Sequence, residues 1–366
     1  IAEEIKNIYS SGGVRAFDYD FMGKKLYGKT MEIVSCPLDQ APEQKEMAVA
    51  IGRNFDGCRI GFDLGGSDRK CAAVIDGEVV FSEEIKWDPY FEKDPNYHRT
   101  GIDDTLRMAA EKLPRVDAIG GSAAGVYVDN KVRAASLFRG VGEDDFKNHV
   151  INMFLDIQKE WDVPMVVVND GEVTALAGSI EMNDDALLGI SMGTSLAAGY
   201  VNADGNITDW LNELAFAPID YRDNAPIDEW SGDIGCGVQY FSQQGVARLA
   251  PLSGIELSEE MSFAERLVEV QNLMLKGDQR ARNIYETIGV YFAHAIANYA
   301  DYYDIRNLLI LGRVTSGEGG NLILDTAKEV LKDEFPKIGE QISFCTPDEK
   351  NKRHGQAVAA ASLPAL

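Results

Sequence analysis

The chain has 366 residues, with 35 basic against 59 acidic side chains and a formal charge of -24. That length implies two lobes of ordinary size, and 45% hydrophobic with 26% charged residues excludes a disordered composition. The acidic excess repels phosphate backbones and anionic lipid, so neither nucleic acid nor a membrane surface is an expected partner.

The chain opens on IAEEIKNIYS, acidic and amphipathic, without the basic and apolar blocks of a signal peptide, and no later apolar run approaches ~20 residues. Cys36, Cys58, Cys71, Cys236 and Cys345 form no CxxC pair, which speaks against a disulfide framework or a zinc knuckle. The expected location is a reducing cytoplasm. Residues 1–58 read as an N-terminal extension with a strand pair around Lys25–Leu38. From Arg59, RIGFDLGG reads as an apolar strand ending in a glycine turn, KCAAVID as a second strand, and EVVFSEEI as a third after the Asp76-Gly77 hairpin. A helix is expected over Ile102–Leu113, a strand at Val116–Gly120, a helix near Glu143–Trp161, whose acidic start suits a helix N-terminus, and a buried strand in PMVVVND.

LLGISMGTSLAAGYVNADGNIT repeats the opening pattern of strand, small-residue turn, strand and glycine hairpin. Gly66 precedes Gly77 by eleven residues and Gly193 precedes Gly205 by twelve, which points to internal duplication. Helices are expected at Ser262–Lys276, Arg282–Tyr303, from about Asn321, and at Gly355–Ala361, with a strand at 307–312. The aromatic residues of Tyr291–Tyr303 read as core packing, and His98, His149, His294 and His354, without ligand spacing, read as surface or helix residues.

Gly65-Gly66-Ser67 ends an apolar strand, where small residues let backbone N–H groups and a hydroxyl approach a phosphate, and Asp63 could hold hydrated magnesium. The bland alternative is a hairpin whose glycines serve only φ > 0. A second turn in matching context, Gly193-Thr194-Ser195, favours the phosphate reading, since two turns facing each other across a cleft would clamp a polyphosphate. Asp170 follows a buried strand; it could accept the proton of a hydroxyl attacking a γ-phosphate, or merely start the next helix.

From Arg59 to the C-terminus the chain resembles the ROK family of sugar kinases and sugar-responsive repressors, within the sugar kinase, actin and heat-shock-chaperone superfamily. The resemblance lies in the order of IGFDLGGSDRKCAAVIDGEVV, AIGGSAAGVYVDNKV, VVVNDGEVTALAG, LLGISMGTSLAAGYVNADG and IGVYFAHAIANYADYYDIRNLLILG. It implies a two-lobed actin-like (ribonuclease H-like) α/β fold with duplicated mixed sheets and a nucleotide cleft between the lobes. The lobes would be 59–167 with the C-terminal helix 353–366, and 168–352. It further implies ATP and Mg²⁺ as cofactors and Asp170 as the catalytic base. Asn169, Glu213, Ser136 and Gly125 would meet a sugar acceptor; Gly312 and Gly317 would lie beside the adenosine, and the chain is a homodimer candidate.

The departures from the family pattern are specific. Phe216 stands where the family has a histidine, Val238 where it has a second sugar-binding glutamate, and Ser136 where it has an asparagine; Arg313 follows Gly312 where a second glycine is common. Only Cys236 remains of the zinc-binding cysteines, so no zinc is expected. Losing paired donors and acceptors argues against a simple glucose kinase. Two further readings stay open: a catalytically silent sugar or nucleotide sensor, and an ATPase coupled to a protein partner. A DNA-binding repressor is disfavoured, because 1–58 lacks a basic helix pair.

Overall fold

A strand flanked by layers on both faces needs apolar side chains throughout, and β1 (Cys58–Leu64) is buried along its whole length. The computed structural model describes residues 1–43, 51–208, 210–345 and 352–366. β1 pairs antiparallel with β2 (Asp68–Ile75), which turns through Asp76 (φ 49°) and Gly77 (φ 86°) into β3 (Glu78–Lys86). Two successive left-handed residues match the twist of a tight hairpin, as Asp-Gly predicts. On the other side of β1 lies β4 (Ala118–Ala123), parallel to it; the small hairpin of β5 (Val126–Val128) and β6 (Lys131–Ala134) follows, and β7 (Met165–Asn169) runs parallel to β4. The sheet order is β3-β2-β1-β4-β7.

A second sheet contains β8 (Leu187–Met192), β9 (Leu196–Val201), β10 (Asn307–Leu311) and β11 (Ser343–Cys345) in the order β11-β10-β8-β9. β8 and β9 form an antiparallel hairpin, and β10 and β11 continue in parallel on the far side of β8. This is the pattern of β1, β2, β4 and β7 repeated, so the duplication legible in the glycine spacing is a duplication of sheet topology. The copies differ after their hairpins. Gly205 closes a turn onto Asn202, but among the described residues no strand follows to match β3.

The chain divides into two compact units, residues 1–180 with 206–211 and 350–366, and 181–205 with 212–349. The first boundary falls beyond the expected 168 because β7 is locked into register with β4, from Ile119 against Met165 to Ala123 against Asn169, and the helix Asp170–Met182 continues directly from it.

The C-terminal helix Lys352–Ala361 lies on the first sheet through missing side chains. A Cβ on Gly61 would stand 1.8 Å from the Ala357 carbonyl oxygen, and one on Gly120 would stand 1.7 Å from that of Ala360. Glycine in β1 and β4 lets the helix backbone touch the sheet, while Ala72, Val74, Ala357 and Ala361 seal the contact. Residues 52–54 clip the chain end: the Gly52 and Asn54 amides donate to the carbonyls of Leu363 and Ser362. Arg59, buried in β1, donates to the Pro364 carbonyl at 2.7 Å.

The N-terminal region differs from expectation. Lys25–Leu38 forms no strand pair; Phe21–Tyr27 is a π-helical turn that buries Leu26, and the following residues to 37 are irregular. Gly23 lies inside that turn and Gly28 ends it, left-handed at φ 66°. The helix expected at Ile102 begins at Pro95, capped by Asp94, whose carboxylate accepts from the Asn96 amide. Helices Phe263–Leu275, opened by a Ser262/Glu265 capping box, and Gln279–Tyr299, capped by Asp278, match their predicted places; the helix expected from Asn321 already begins at Gly317. Among the described residues no helix is long and apolar enough to cross a membrane.

Candidate functional site

β1, β4 and β7 are parallel, so their carboxyl ends share one edge of the first sheet, where ligands of open α/β sheets gather. Asp63 sits near that edge, in a row with Lys70 of β2 and Ser122 of β4. Residues in register point to one face, and the contacts follow: the Ser122 hydroxyl donates to Asp63 Oδ1 at 2.6 Å and the Lys70 ammonium to Oδ2 at 3.3 Å. Lys70 also pairs with Asp68 at 2.9 Å. Burial works against its charge, but the two carboxylates outweigh it and raise its pKa. Neither Lys70 nor Ser122 stood out in the sequence; alternation along β2 and the parallel pairing of β4 are the signals that locate them.

The turn Gly65-Gly66-Ser67 joins β1 to β2, with the Gly65 amide donating to the Asp68 carbonyl at 2.9 Å and Ser67 exposed. Neither glycine has positive φ, so a left-handed backbone is not what calls for glycine in this hairpin turn. At Gly66 the close approach is by protein: the Tyr90 hydroxyl lies 2.0 Å from where a Cβ would be.

At the end of β7, Asn169 binds backbone with both ends of its amide, donating from Nδ2 to the Gly125 carbonyl at 2.7 Å and accepting from the Gly171 amide at 2.7 Å. Gly125, at φ 135°, needs glycine both for that angle and because a Cβ would meet Ala135 Cβ at 2.5 Å. Asn169 therefore ties the end of β4 to the start of the next helix. Asp170 opens that helix, and its carboxylate accepts from the Gly171 amide at 3.1 Å. Its side chain keeps partial exposure within a crowded surround. Burial first, and the charge of Asp63 second, push its pKa up to about 6. A carboxyl poised there is matched to proton transfer near neutral pH. Ser136, also in this unit, is exposed at the start of the 3₁₀ turn Ser136–Phe138.

In the second unit, β8 and β10 are parallel, and Gly193 and Gly312 both lie just beyond their carboxyl ends. The Gly193 amide donates to the Ser195 carbonyl at 2.9 Å, and Gly193 accepts from the Gln243 amide at 2.9 Å. A Cβ on Gly193 would meet nothing closer than 3.8 Å; the turn is open, with Thr194 and Ser195 exposed. Gly312, at φ 103°, would place a Cβ 2.3 Å from the Met192 carbonyl oxygen, so it packs on the end of β8. Gly317 (φ 71°) starts the helix Gly317–Glu334, and Arg313 between them is exposed, its carbonyl accepting from Gln271 at 2.9 Å. Glu213 lies partly buried in a tight turn, its carbonyl accepting from the Phe216 amide.

No protein-family model and no curated protein matches the sequence itself. The structure does match solved ones. A ROK hexokinase from Thermus thermophilus superposes with a TM-score of 0.65 at 14% identity, covering 84% of this chain and 97% of the other. A ROK-family transcriptional regulator, a homologue of the E. coli MLC protein, gives 0.61 at 18% identity over 84% and 79% of the two chains. The chain has the ROK fold. A ROK glucokinase from Streptomyces griseus, solved with glucose and AMPPNP, gives 0.56 at 18% identity over 84% and 99%. The expected actin-like α/β class is therefore correct, and the ROK fold is shared by kinases and a regulator alike.

Within this ROK fold the departures have structural partners. Phe216 packs at a tilt against Trp230 with ring centroids 5.2 Å apart, and Val238 is buried, its amide donating to the Ala215 carbonyl. Around Cys236, Asp220 accepts from Arg222 through two nitrogens and from the Tyr240 hydroxyl at 2.5 Å. The Arg222 guanidinium, helped by the Tyr240 hydroxyl, holds the Asp220 carboxyl well below the usual carboxylate range against the opposing effect of burial. An ion pair and a phenol thus knit the loop beside Cys236. His98, read as a surface or helix residue, is a fully buried helix residue.

Proposed function

We propose that the chain is an ATP-dependent phosphotransferase of sugar-kinase type, transferring the γ-phosphate to a hydroxyl of a sugar or related polyhydroxylated acceptor. The observation that carries this reading is Asp170, a carboxyl at the carboxyl edge of the parallel strands, beside Asp63, with a pKa of about 6. The acceptor hydroxyl would give its proton to Asp170 as its oxygen attacks the γ-phosphorus, and the phosphorus–oxygen bond to ADP would break. Asn169 would act indirectly, holding the start of the Asp170 helix to the loop at Gly125. The Ser67 hydroxyl with the Gly66 and Ser67 amides, and the hydroxyls and amides of Thr194 and Ser195, would bind phosphate, the Gly65 and Gly193 amides being used to hold their own turns, and Gly312 and Gly317 would admit the adenosine. Glu213 and Ser136 would orient the acceptor.

The donor set fits magnesium held through water. Each Asp63 oxygen already accepts one hydrogen bond and keeps a second lone pair, while the Lys70 ammonium disfavours direct coordination. Bound magnesium would supply charge neutralisation on the phosphates.

Phe216 and Val238 favour one second reading, a sensor that binds ligand in the same place without turning it over, as befits a fold shared with a transcriptional regulator. ADP release measured with Mg-ATP across a panel of sugars, sugar acids and polyols separates the two. The kinase reading expects release at least ~10-fold above the acceptor-free rate with one class. Nucleotide binding with no acceptor-stimulated turnover in any class would leave the sensor.

A further inference from the structure

The segment Trp87–Phe91 follows β3 and lies against the first glycine turn. Trp87 Nε1 donates to the Gly65 carbonyl at 2.8 Å, the Trp87 amide donates to the Ser67 carbonyl, and the Tyr90 hydroxyl abuts Gly66. Tyr90 is in turn a platform for Arg139, whose guanidinium carbon stands 4.1 Å from the Tyr90 ring centroid and 4.7 Å from that of Phe91. Arg139 follows the Ser136–Phe138 turn. That turn is held to the same segment by buried His98, whose Nε2 lies 3.1 Å from the Pro89 carbonyl oxygen and 2.9 Å from that of Leu137. With acceptors on both sides, Nε2 carries the proton.

Arg139 differs from the ion-paired arginines of the chain in what its guanidinium touches. Arg99, Arg115, Arg222, Arg280 and Arg282 each pair with a carboxylate, as expected in so acidic a chain. Among the described residues Arg139 has no such partner, and none of its side-chain N–H groups donates to protein. Ring stacking occupies the face of a guanidinium and leaves its edge donors free in a fixed plane, the geometry that suits a phosphate. The Tyr90 hydroxyl likewise has no hydrogen-bond partner among the described residues. Of the other cations near the turn, Lys70 is engaged by Asp63 and Asp68, and Arg69 by the Gly101 carbonyl and the Thr105 hydroxyl.

We propose that Arg139 and Tyr90 form an oxyanion-binding pair beside the first glycine turn, and that its ligand is a phosphate group. The phosphate is either the terminal one of the nucleotide or one carried by the acceptor; only this assignment rests on the phosphotransferase reading. Calorimetry with tripolyphosphate, Mg-ATP, Mg-ADP and glucose 6-phosphate on the wild type, Arg139→Gln and Tyr90→Phe tests it. Arg139→Gln is expected to weaken tripolyphosphate at least ~10-fold and Tyr90→Phe about threefold, with thermal melting unchanged because Arg139 is exposed. Weakened Mg-ATP with unchanged Mg-ADP assigns the terminal phosphate; weakened glucose 6-phosphate with unchanged nucleotides assigns the acceptor. Wild-type affinity of both variants for all four probes, or a wild type that binds none of them, overturns the pair. Arg139-dependent phosphate binding in a protein that never turns over nucleotide would keep the pair and remove the kinase reading.

Discussion

Asp170→Asn is expected to lower acceptor phosphorylation by ~10²-fold or more while leaving Mg-ATP affinity nearly unchanged, because the amide keeps the shape and the bond from the Gly171 amide but cannot take a proton. The wild-type rate should fall as pH drops below about 6, where the carboxyl protonates. Stability provides an independent readout. A carboxyl whose folded pKa is raised from 3.8 to about 6 contributes stability fully present below pH 3.8 and lost as pH rises through 6. The variant carries no such charge, so at pH 8 it should be more stable than the wild type by roughly 1–3 kcal/mol, an advantage that disappears near pH 4. Normal phosphorylation by the variant would make Asp170 only the first residue of its helix. Lower stability at pH 8 would show instead that the carboxylate holds that helix start.

Gly120→Val should be the most damaging single change in the first unit. The added carbon would stand 1.7 Å from the Ala360 carbonyl oxygen, and backbone on both sides leaves no flexible side chain to yield. Displacing the C-terminal helix from β1 and β4 is expected to cost about 3 kcal/mol or more, read as a lower denaturation midpoint. Gly12→Ala, where nothing lies within 4 Å, is the control and should stay within about 0.5 kcal/mol. Equal midpoints for Gly120→Val and the wild type would mean the C-terminal helix does not rest on the sheet as described.

The sheets were legible because their signals are local. Apolar runs ended by Gly65-Gly66 and by Gly193-Thr194 became β1 and β8, and Asp76-Gly77 became a tight turn through its own left-handed backbone. The place of Asp170, directly after β7 and at the start of a helix, was legible from the apolar run that precedes it. Residues recruited across the sheet were hidden. Ser122 and Lys70 reach Asp63 only through strand pairing, and Tyr90 and Arg139 reach the Gly66 turn only because a loop folds back on it. Glycine was the ambiguous letter. Gly61 and Gly120 admit a helix, Gly66 admits a tyrosine, and Gly28 ends a helical turn.

Calorimetric titration of the folded wild type with Mg-ATP tests the central claim most directly, since the roles of Asp63, Asp170 and both glycine turns all presuppose a bound nucleotide. Saturable binding at sub-millimolar to millimolar nucleotide, competed by Mg-ADP, is the expected result. No detectable heat at millimolar Mg-ATP, from protein whose circular dichroism shows it folded, would contradict it.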